Sequence, residues 1–144
     1  MRKLSLIVAS LTMLVLLSTG VAYSQIGPIV IRGDIPFDFT VVDKTLPAGN
    51  YDVKKVVTGL ASGVETLHIR GTENQEQAGF VAIAVEKTGK LGKPMFVFRR
   101  YGDKYFLAEI WTGVSIGREL PKSYQERQIS QFQPKPELIM IAAK

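Results

Sequence analysis

The sequence predicts an all-β domain, an antiparallel β-sandwich or barrel of seven to eight strands with one short helix near the C-terminus. Three observations predict this class. Apolar and polar residues alternate with a period of two in several short segments, which is typical of strands with one buried face. Glycine and proline turn signals separate these segments. Two aromatic-rich runs flank the dipeptide Gly102-Asp103, which is typical of a tight hairpin.

The first predicted strand covers residues 35–41, where four apolar residues alternate with two polar residues and a proline. Pro36 has no backbone N–H, so this strand is expected at a sheet edge or at a bulge. Residues 46–50 read Leu-Pro-Ala-Gly-Asn, a turn in which proline presets φ and glycine supplies a positive φ. A second strand is therefore expected at 51–57.

Two further strands are expected at 64–70 and 80–85, because polar or glycine-rich stretches at 58–63, 71–77 and 87–94 separate them as loops. The second of these strands is a continuous run of six apolar residues. Such a run suits a strand that is covered on both faces.

The most informative segment is the predicted hairpin of residues 95–111, with Gly102-Asp103 as its turn. Glycine in the first turn position favours a type II′ turn. A two-residue loop predicts that Tyr101 pairs with Lys104, Arg100 with Tyr105, and Phe98 with Leu107. This register places Trp111 on the same face as Phe96, Phe98 and Tyr105. Both faces are largely apolar, so the hairpin is expected at the centre of the sheet.

The C-terminal part of the chain predicts one helix and one strand. Residues 119–130 combine an early proline with helix-forming residues, so a short helix is expected with Pro121 in its first turn. Residues 131–136 form a linker, and the apolar residues of 137–143 predict a last strand.

The N-terminal residues 1–24 have the features of a secretory signal peptide. Two basic residues precede an apolar run at 4–17, and Ala22 and Ser24 fit the −3 and −1 positions of a cleavage site before Gln25. Cleavage after Ala22 is the alternative. An uncleaved anchor is the competing interpretation, but the run is shorter than the roughly 18 apolar residues that a spanning helix needs.

Residues 25–144 are therefore expected to form a single exported domain, secreted or periplasmic. Loss of Arg2 and Lys3 with the leader reduces the 18 basic residues to 16 against 13 acidic ones, a net charge of +3. The remaining basic residues are scattered, which is typical of a solubility feature rather than of a polyanion site. We expect no nucleic-acid partner, and contact with a membrane only during export.

The residue types that are missing exclude several kinds of chemistry. The chain has no cysteine and one histidine, which excludes disulfides, thiolate sites, cysteine nucleophiles and multi-histidine metal cages. It contains no nucleophile elbow and no glycine-rich phosphate loop. His68 lies between two apolar strand residues and is expected to face solvent. We therefore predict no catalytic residue, no metal ligand and no cofactor.

A polar and aromatic cluster in the predicted hairpin is the candidate binding site. As a site, it would offer a platform for a glycan or an anion, with stacking rings beside bidentate donors. As part of the fold, its rings would belong to the core, and its arginines would pair with Glu109 or Glu119 or stack on tyrosines. Its candidate residues are Arg99, Arg100, Tyr101, Tyr105 and Trp111.

Several blocks of the chain together resemble a family of uncharacterised small secreted bacterial proteins. The blocks are Ile35-Pro36-Phe37-Asp38-Phe39, Leu46 to Tyr51, Phe98 to Leu107, and Gly117 to Ser123. The resemblance covers most of residues 25–144 and follows the same order along the chain. It implies one exported domain, and it implies no particular activity.

The leading hypothesis is a non-catalytic binding or structural module of the cell envelope or the external medium, with an envelope glycan or another envelope protein as partner. One alternative is a carboxylate-dependent glycan hydrolase that uses a pair of acids among Asp103, Glu109 and Glu119. A second alternative is a carrier of apolar ligands, on the condition that the strands close into a barrel around a cavity.

Overall fold

Alternating apolar residues and the turns between them fold the described chain into ten strands and one helix. The computed structural model describes residues 26–56, 64–86, 92–113 and 115–144. The predicted signal peptide, the predicted loop at 58–63 and most of the predicted loop at 87–94 lie outside these residues. The elements are β1 (Ile26–Ile35), β2 (Phe39–Val41), β3 (Lys44–Leu46), β4 (Gly49–Val56), β5 (Val64–Gly71), β6 (Gln77–Glu86), β7 (Pro94–Tyr101), β8 (Lys104–Thr112), β9 (Ile116–Glu119), α1 (Tyr124–Phe132) and β10 (Glu137–Ala142).

The described strands belong to one mixed sheet in the order β1-β4-β5-β6-β9-β8, and from β8 the sheet continues through β7 to β10. The short β2–β3 hairpin joins β8 through a single parallel bridge between Thr40 and Phe106. Every other pairing is antiparallel. The all-β class and the short helix near the C-terminus are thus confirmed, with more strands than predicted.

The sheet curls without closing as a barrel. Within the described ranges no ladder joins β1 to β10, but Lys144, two residues beyond the end of β10, forms a hydrogen-bonded pair with Arg32 of β1. The Arg32 N–H donates to the Lys144 carbonyl at 2.9 Å, and the Lys144 N–H donates back to the Arg32 carbonyl at 2.8 Å. The condition for the carrier hypothesis, a closed barrel, is therefore not met.

One face of the curled sheet encloses the hydrophobic core. Its aromatic centre is Phe39, whose ring makes edge-to-face contacts with Tyr51 and Phe98 at centroid distances of 5.1 and 5.5 Å. Such contacts stabilise aromatic pairs beyond the burial of their area. Aliphatic side chains from β1, β3, β4, β5 and β8 also belong to this core. They include Ile31, Leu46, Val53, Leu67, Ile69 and Ile110, each at most 1% exposed.

The predicted first strand and the predicted helix begin and end elsewhere in the structure. The predicted strand at 35–41 is split, because β1 ends before Pro36, which cannot donate to a ladder. The helix starts after Ser123, whose Oγ accepts a hydrogen bond from the Glu126 N–H at 3.0 Å, and not at Pro121. The helix begins there because the serine side chain satisfies a backbone N–H of the first turn, which a proline side chain cannot do.

The predicted hairpin register is confirmed near the turn and wrong beyond it. Tyr101 pairs with Lys104 and Phe98 with Leu107, and Gly102 has a φ of +61°, as the first position of a type II′ turn requires. A bulge then follows, so that Phe96 pairs with Ile110 instead of its predicted neighbour. Because a bulge adds one residue to one strand, Trp111 moves to the face opposite Phe98.

The prediction that residues 80–85 are covered on both faces is wrong. Phe80 and Ala82 are buried in the core, whereas Val81 and Ile83 are 47% and 52% exposed. The strand is central in the sheet, but nothing in the described chain packs over its outer face. Hydrophobic composition alone does not specify a second covering layer.

Val42, in the β2–β3 turn, has a φ of +57°. A β-branched residue is disfavoured there because its Cβ crowds the backbone. We expect Val42→Gly to raise the free energy of unfolding by about 0.5–1 kcal/mol, after the entropy cost of glycine is subtracted. Urea unfolding measures this, with Val42→Ala as the control that keeps Cβ. Equal shifts in both variants would show that the side-chain methyls, not the backbone, cause the effect.

Candidate functional site

The structure divides the five predicted site residues between the two faces of the β7–β8 hairpin. Arg100 and Tyr105 pair across the strands on the core face, at its rim. The other three, Arg99, Tyr101 and Trp111, lie on the opposite face, which α1 partly covers. The five residues therefore do not form one continuous surface.

Arg99 and Tyr101 hold α1 against the sheet through Glu126. Arg99 donates from Nε and Nη2 to the two carboxylate oxygens of Glu126 at 2.5 and 3.2 Å, and Nη2 also donates to the Leu120 carbonyl at 3.2 Å. The Tyr101 hydroxyl donates to Glu126 Oε1 at 3.1 Å. The predicted partners of the arginine, Glu109 and Glu119, are wrong, because α1 brings a different carboxylate over this face.

This ion pair is buried. The side chains of Arg99 and Glu126 are 11% and 2% exposed. Burial raises the pKa of the Tyr101 hydroxyl, and the negative charge of Glu126 raises it further. Since all three polar groups have partners within the cluster, we assign this cluster a structural role, the docking of α1.

Trp111 is only 1% exposed, although it lies on the outer face of the hairpin. Its Nε1–H donates to Glu109 Oε2 at 2.6 Å. Its ring lies over Gly117 of the paired strand β9, where a side chain would collide with it. A ring enclosed in this way cannot stack on a glycan without a rearrangement.

Arg100 and Tyr105 form a partly exposed stack at the rim of the core. The Tyr105 ring stacks on Phe37 at a centroid distance of 3.9 Å, and the Arg100 guanidinium lies 5.5 Å from the Tyr105 ring centroid. Arg100 also donates to the Gly102 carbonyl at 2.7 Å and to Glu137 Oε2 at 3.3 Å. These contacts fix the guanidinium while leaving the side chain 40% exposed.

Two open grooves flank the hairpin turn, and we call them together the turn grooves. The larger has a volume of about 580 Å³ and is lined by Arg100, Gly102, Gln133, Pro134, Lys135 and Glu137. The smaller has a volume of about 270 Å³ and is lined by Tyr101, Gly102, Asp103, Lys104, Ile129, Phe132 and Gln133. Gly102 and Gln133 belong to both, so the two grooves are neighbours around one turn.

Three residues that line the turn grooves are not predicted by the sequence: Phe132, Gln133 and Lys135. They lie at the end of α1 and in the segment that follows it, within the linker that the sequence predicts at 131–136. One signal was available in the sequence: Phe132 is an aromatic residue at the end of a mostly polar helix. In the structure its side chain is 85% exposed. Aromatic side chains with a few polar groups commonly line ligand pockets, and Phe132 lines the smaller groove.

Two of the three candidate catalytic acids are neighbours. Glu109 and Glu119 face each other directly across β8 and β9, which places their Cβ atoms about 5 Å apart. Asp103 lies in the hairpin turn, at the far end of β8. No group of three or more histidine, aspartate or glutamate side chains able to hold a metal ion occurs in the described part of the chain.

The fold and the turn grooves define a small all-β protein with a surface site beside the turn of the β7–β8 hairpin, which lies near the β10 edge of the sheet and not at its centre. No protein-family model, curated protein or solved structure matches the chain. The resemblance to secreted bacterial proteins therefore stays a prediction. No helix within the described ranges is long and apolar enough to cross a membrane.

Proposed function

We propose that the protein is a non-catalytic module that binds an extended glycan in the turn grooves. The observation that carries the proposal is the exposed Phe132 ring, which lines the smaller of the two turn grooves, next to the larger one. Sugars present apolar ring faces and many hydroxyls, and they bind to aromatic rings flanked by hydrogen-bond donors and acceptors. Arg100, Gln133 and Lys135 supply donors around the larger groove.

The charge of the groove favours a glycan that carries carboxylate or phosphate groups. Three cations, Arg100, Lys104 and Lys135, line the grooves together with two carboxylates, Asp103 and Glu137. Glu137 forms an ion pair with Arg100, which reduces the repulsion between Glu137 and an anionic ligand. Of the predicted platform residues, the proposed site includes Arg100, which Tyr105 supports. Its stacking ring is Phe132 of α1.

We place the module in the cell envelope or the external medium, either periplasmic or secreted. This part of the proposal is supported by the N-terminal sequence alone, with its basic residues, apolar run and small residues before Gln25. N-terminal sequencing of the exported protein tests it, and a protein that retains Met1 would contradict cleavage.

Glycan-array binding followed by calorimetry tests the proposed function. Phe132→Ala is expected to weaken binding about tenfold, the equivalent of roughly 1.4 kcal/mol for one stacking contact. Lys135→Gln is expected to weaken the binding of acidic glycans selectively. Tyr124→Ala is the matched control, because Tyr124 is a 65% exposed aromatic residue at the other end of the same helix.

Equal losses in the Phe132 and Tyr124 variants, or no binding by the unchanged protein, would contradict the glycan proposal. The same incubations, assayed for new reducing ends, test the hydrolase alternative, which the cross-strand pairing of Glu109 with Glu119 favours. Bond cleavage that disappears in Glu119→Gln would establish that alternative in place of a non-catalytic module.

A further inference from the structure

The outer face of β4, β5 and β6 is a second surface, away from the turn grooves. The core residues of these strands alternate with outward-facing ones, so cross-strand pairing defines which side chains are neighbours. Val64 pairs with Ile83, and Thr66 pairs with both Val56 and Val81. The next rows pair Lys54 with His68, and Asp52 with Arg70.

The first part of this face is an aliphatic patch of Val64, Val81 and Ile83. These side chains are 42%, 47% and 52% exposed and lie next to one another. The half-buried Val56 and Val85 extend the patch along β4 and β6. A contiguous exposed aliphatic area marks an interaction surface more reliably than scattered single residues do.

The second part is a row of Lys54, His68 and Arg70, which we call the cationic row because Lys54 and Arg70 carry positive charge on either side of the histidine. Burial lowers the pKa of His68, and the positive charges of Arg70 and Lys54 lower it further. On the β6 side the neighbour of His68 is Gly79, so no side chain covers the imidazole there.

Nearby acidic groups do not cancel this positive charge. Asp52 accepts hydrogen bonds from Nε and Nη2 of Arg32 at 2.5 and 2.9 Å, so its charge is already paired. Asp34 lies further along β1, opposite Asn50. Glu119 borders the aliphatic patch at Ile83, on the β9 side. The positive charge is therefore concentrated toward β4 and β5.

A small pocket lies at the end of the cationic row. Its volume is about 240 Å³, and it is lined by Asp52, Lys54, Arg70, Gly71, Thr72 and Gln75. The pocket is large enough for a phosphate group, and its two cations lie on neighbouring strands. Phosphate is a preferred partner of arginine and lysine donors.

We propose that this outer face docks on an anionic lipid surface. The aliphatic patch contacts the apolar side of the headgroup region, while Lys54 and Arg70 bind lipid phosphates. Affinity for such surfaces grows with buried apolar area and with the number of basic residues near the headgroups. The described residues of this face include no phenylalanine, tyrosine or tryptophan ring for sugar stacking, which separates its ligand class from that of the turn grooves. It adds a lasting membrane contact to the transient one expected during export.

Co-sedimentation with phosphatidylcholine vesicles, with and without phosphatidylglycerol, tests the proposal. All variants carry the same N-terminus, so that its own contribution is constant. Binding is expected to require phosphatidylglycerol and to fall with added salt. The double variant Val81→Ser/Ile83→Ser should weaken binding about tenfold. Lys54→Gln and Arg70→Gln should each weaken it about fivefold.

Matched controls lie on other surfaces of the molecule. Leu138→Ser/Met140→Ser removes two side chains that are 58% and 66% exposed on β10, and it should leave vesicle binding unchanged. Phe132→Ala should also leave it unchanged, since that variant affects only the turn grooves. Glu119→Lys should strengthen binding, because it extends the positive charge beside Ile83.

Three results would overturn the lipid proposal: equal losses in the β10 control, binding that does not depend on phosphatidylglycerol, or undiminished binding by the patch variant. Gel filtration of the same proteins provides a fourth. A dimer that the Val81→Ser/Ile83→Ser change converts to a monomer would assign the patch to a second copy of the chain. Circular dichroism and urea midpoints confirm that each variant is folded.

Discussion

Replacing Glu126 with alanine is expected to lower the free energy of unfolding by about 3–5 kcal/mol, because the guanidinium of Arg99 is then left buried without a counter-charge. Arg99 would also lose two of its three hydrogen bonds, and Tyr101 would lose the acceptor of its hydroxyl. Urea unfolding followed by circular dichroism measures the loss. Hydrogen exchange of α1 shows whether the helix detaches before the sheet unfolds.

The neighbouring residue supplies a matched control. Arg100 also pairs with a glutamate, but the two side chains are 40% and 62% exposed. Glu137→Ala should therefore cost less than about 1 kcal/mol. Equal costs for the two alanine variants would contradict the assignment of Glu126 as a buried anchor, because burial is what distinguishes the two pairs.

The double variant Arg99→Met/Glu126→Leu distinguishes two contributions to the free energy of unfolding: the net stabilisation by the ion pair, and the penalty for leaving one buried charge unpaired. Removing both charges leaves no buried ion without a partner, so this variant should be more stable than Glu126→Ala. If the double variant is as unstable as the single one, lost packing of α1 rather than an unpaired charge explains the effect.

Local sequence predicts those parts of the fold that local geometry controls. The turn at Gly102-Asp103 fixes the hairpin pairing over the next four residues, because a two-residue loop permits one register. The bulge beyond Phe98 has no comparable signature. The position of the bulge depends on β8 pairing with β9 on one side and with β7 on the other. The β8–β9 contacts join residues that the local turn does not control.

The candidate site was only partly predictable for the same reason. Arg100 lies in the aromatic-rich hairpin, and the sequence predicts it as a site residue. Lys135 lies in a linker and becomes its neighbour only because α1 crosses the outer face and β10 returns beside β7. The anchor for that crossing is Glu126, a charged residue whose burial no hydrophobic pattern would predict.

The second large effect is expected at Trp111, the largest of the fully buried side chains. Trp111→Ala should lower the free energy of unfolding by about 3–5 kcal/mol, since it removes a buried aromatic ring and leaves a cavity. Gly117→Ala should also destabilise, by about 1–3 kcal/mol, because overpacking displaces well-packed neighbours. A Cβ on Gly117 would lie 2.6 Å from three atoms of the Trp111 ring.

Gly79→Ala is the control for the second substitution, because a Cβ on this strand glycine would meet no atom within 4 Å. Its free energy of unfolding should stay the same or rise slightly, since alanine has less entropy to lose than glycine. A loss equal to that of Gly117→Ala would show that the cost comes from the backbone of a strand glycine and not from the tryptophan ring.

The two substitutions at the Trp111–Gly117 contact should not be additive. Once the ring is gone, the alanine at 117 has nothing to collide with, and its methyl group fills part of the cavity. Trp111→Ala/Gly117→Ala should therefore cost about 1–3 kcal/mol less than the two single losses added together. A coupling free energy near zero would mean that Gly117 is required for a backbone reason. A coupling of the expected size would show that Gly117 is required because it has no side chain. The absence of a Cβ lets the Trp111 ring lie against β9, so that the tryptophan is buried on the outer face of the sheet.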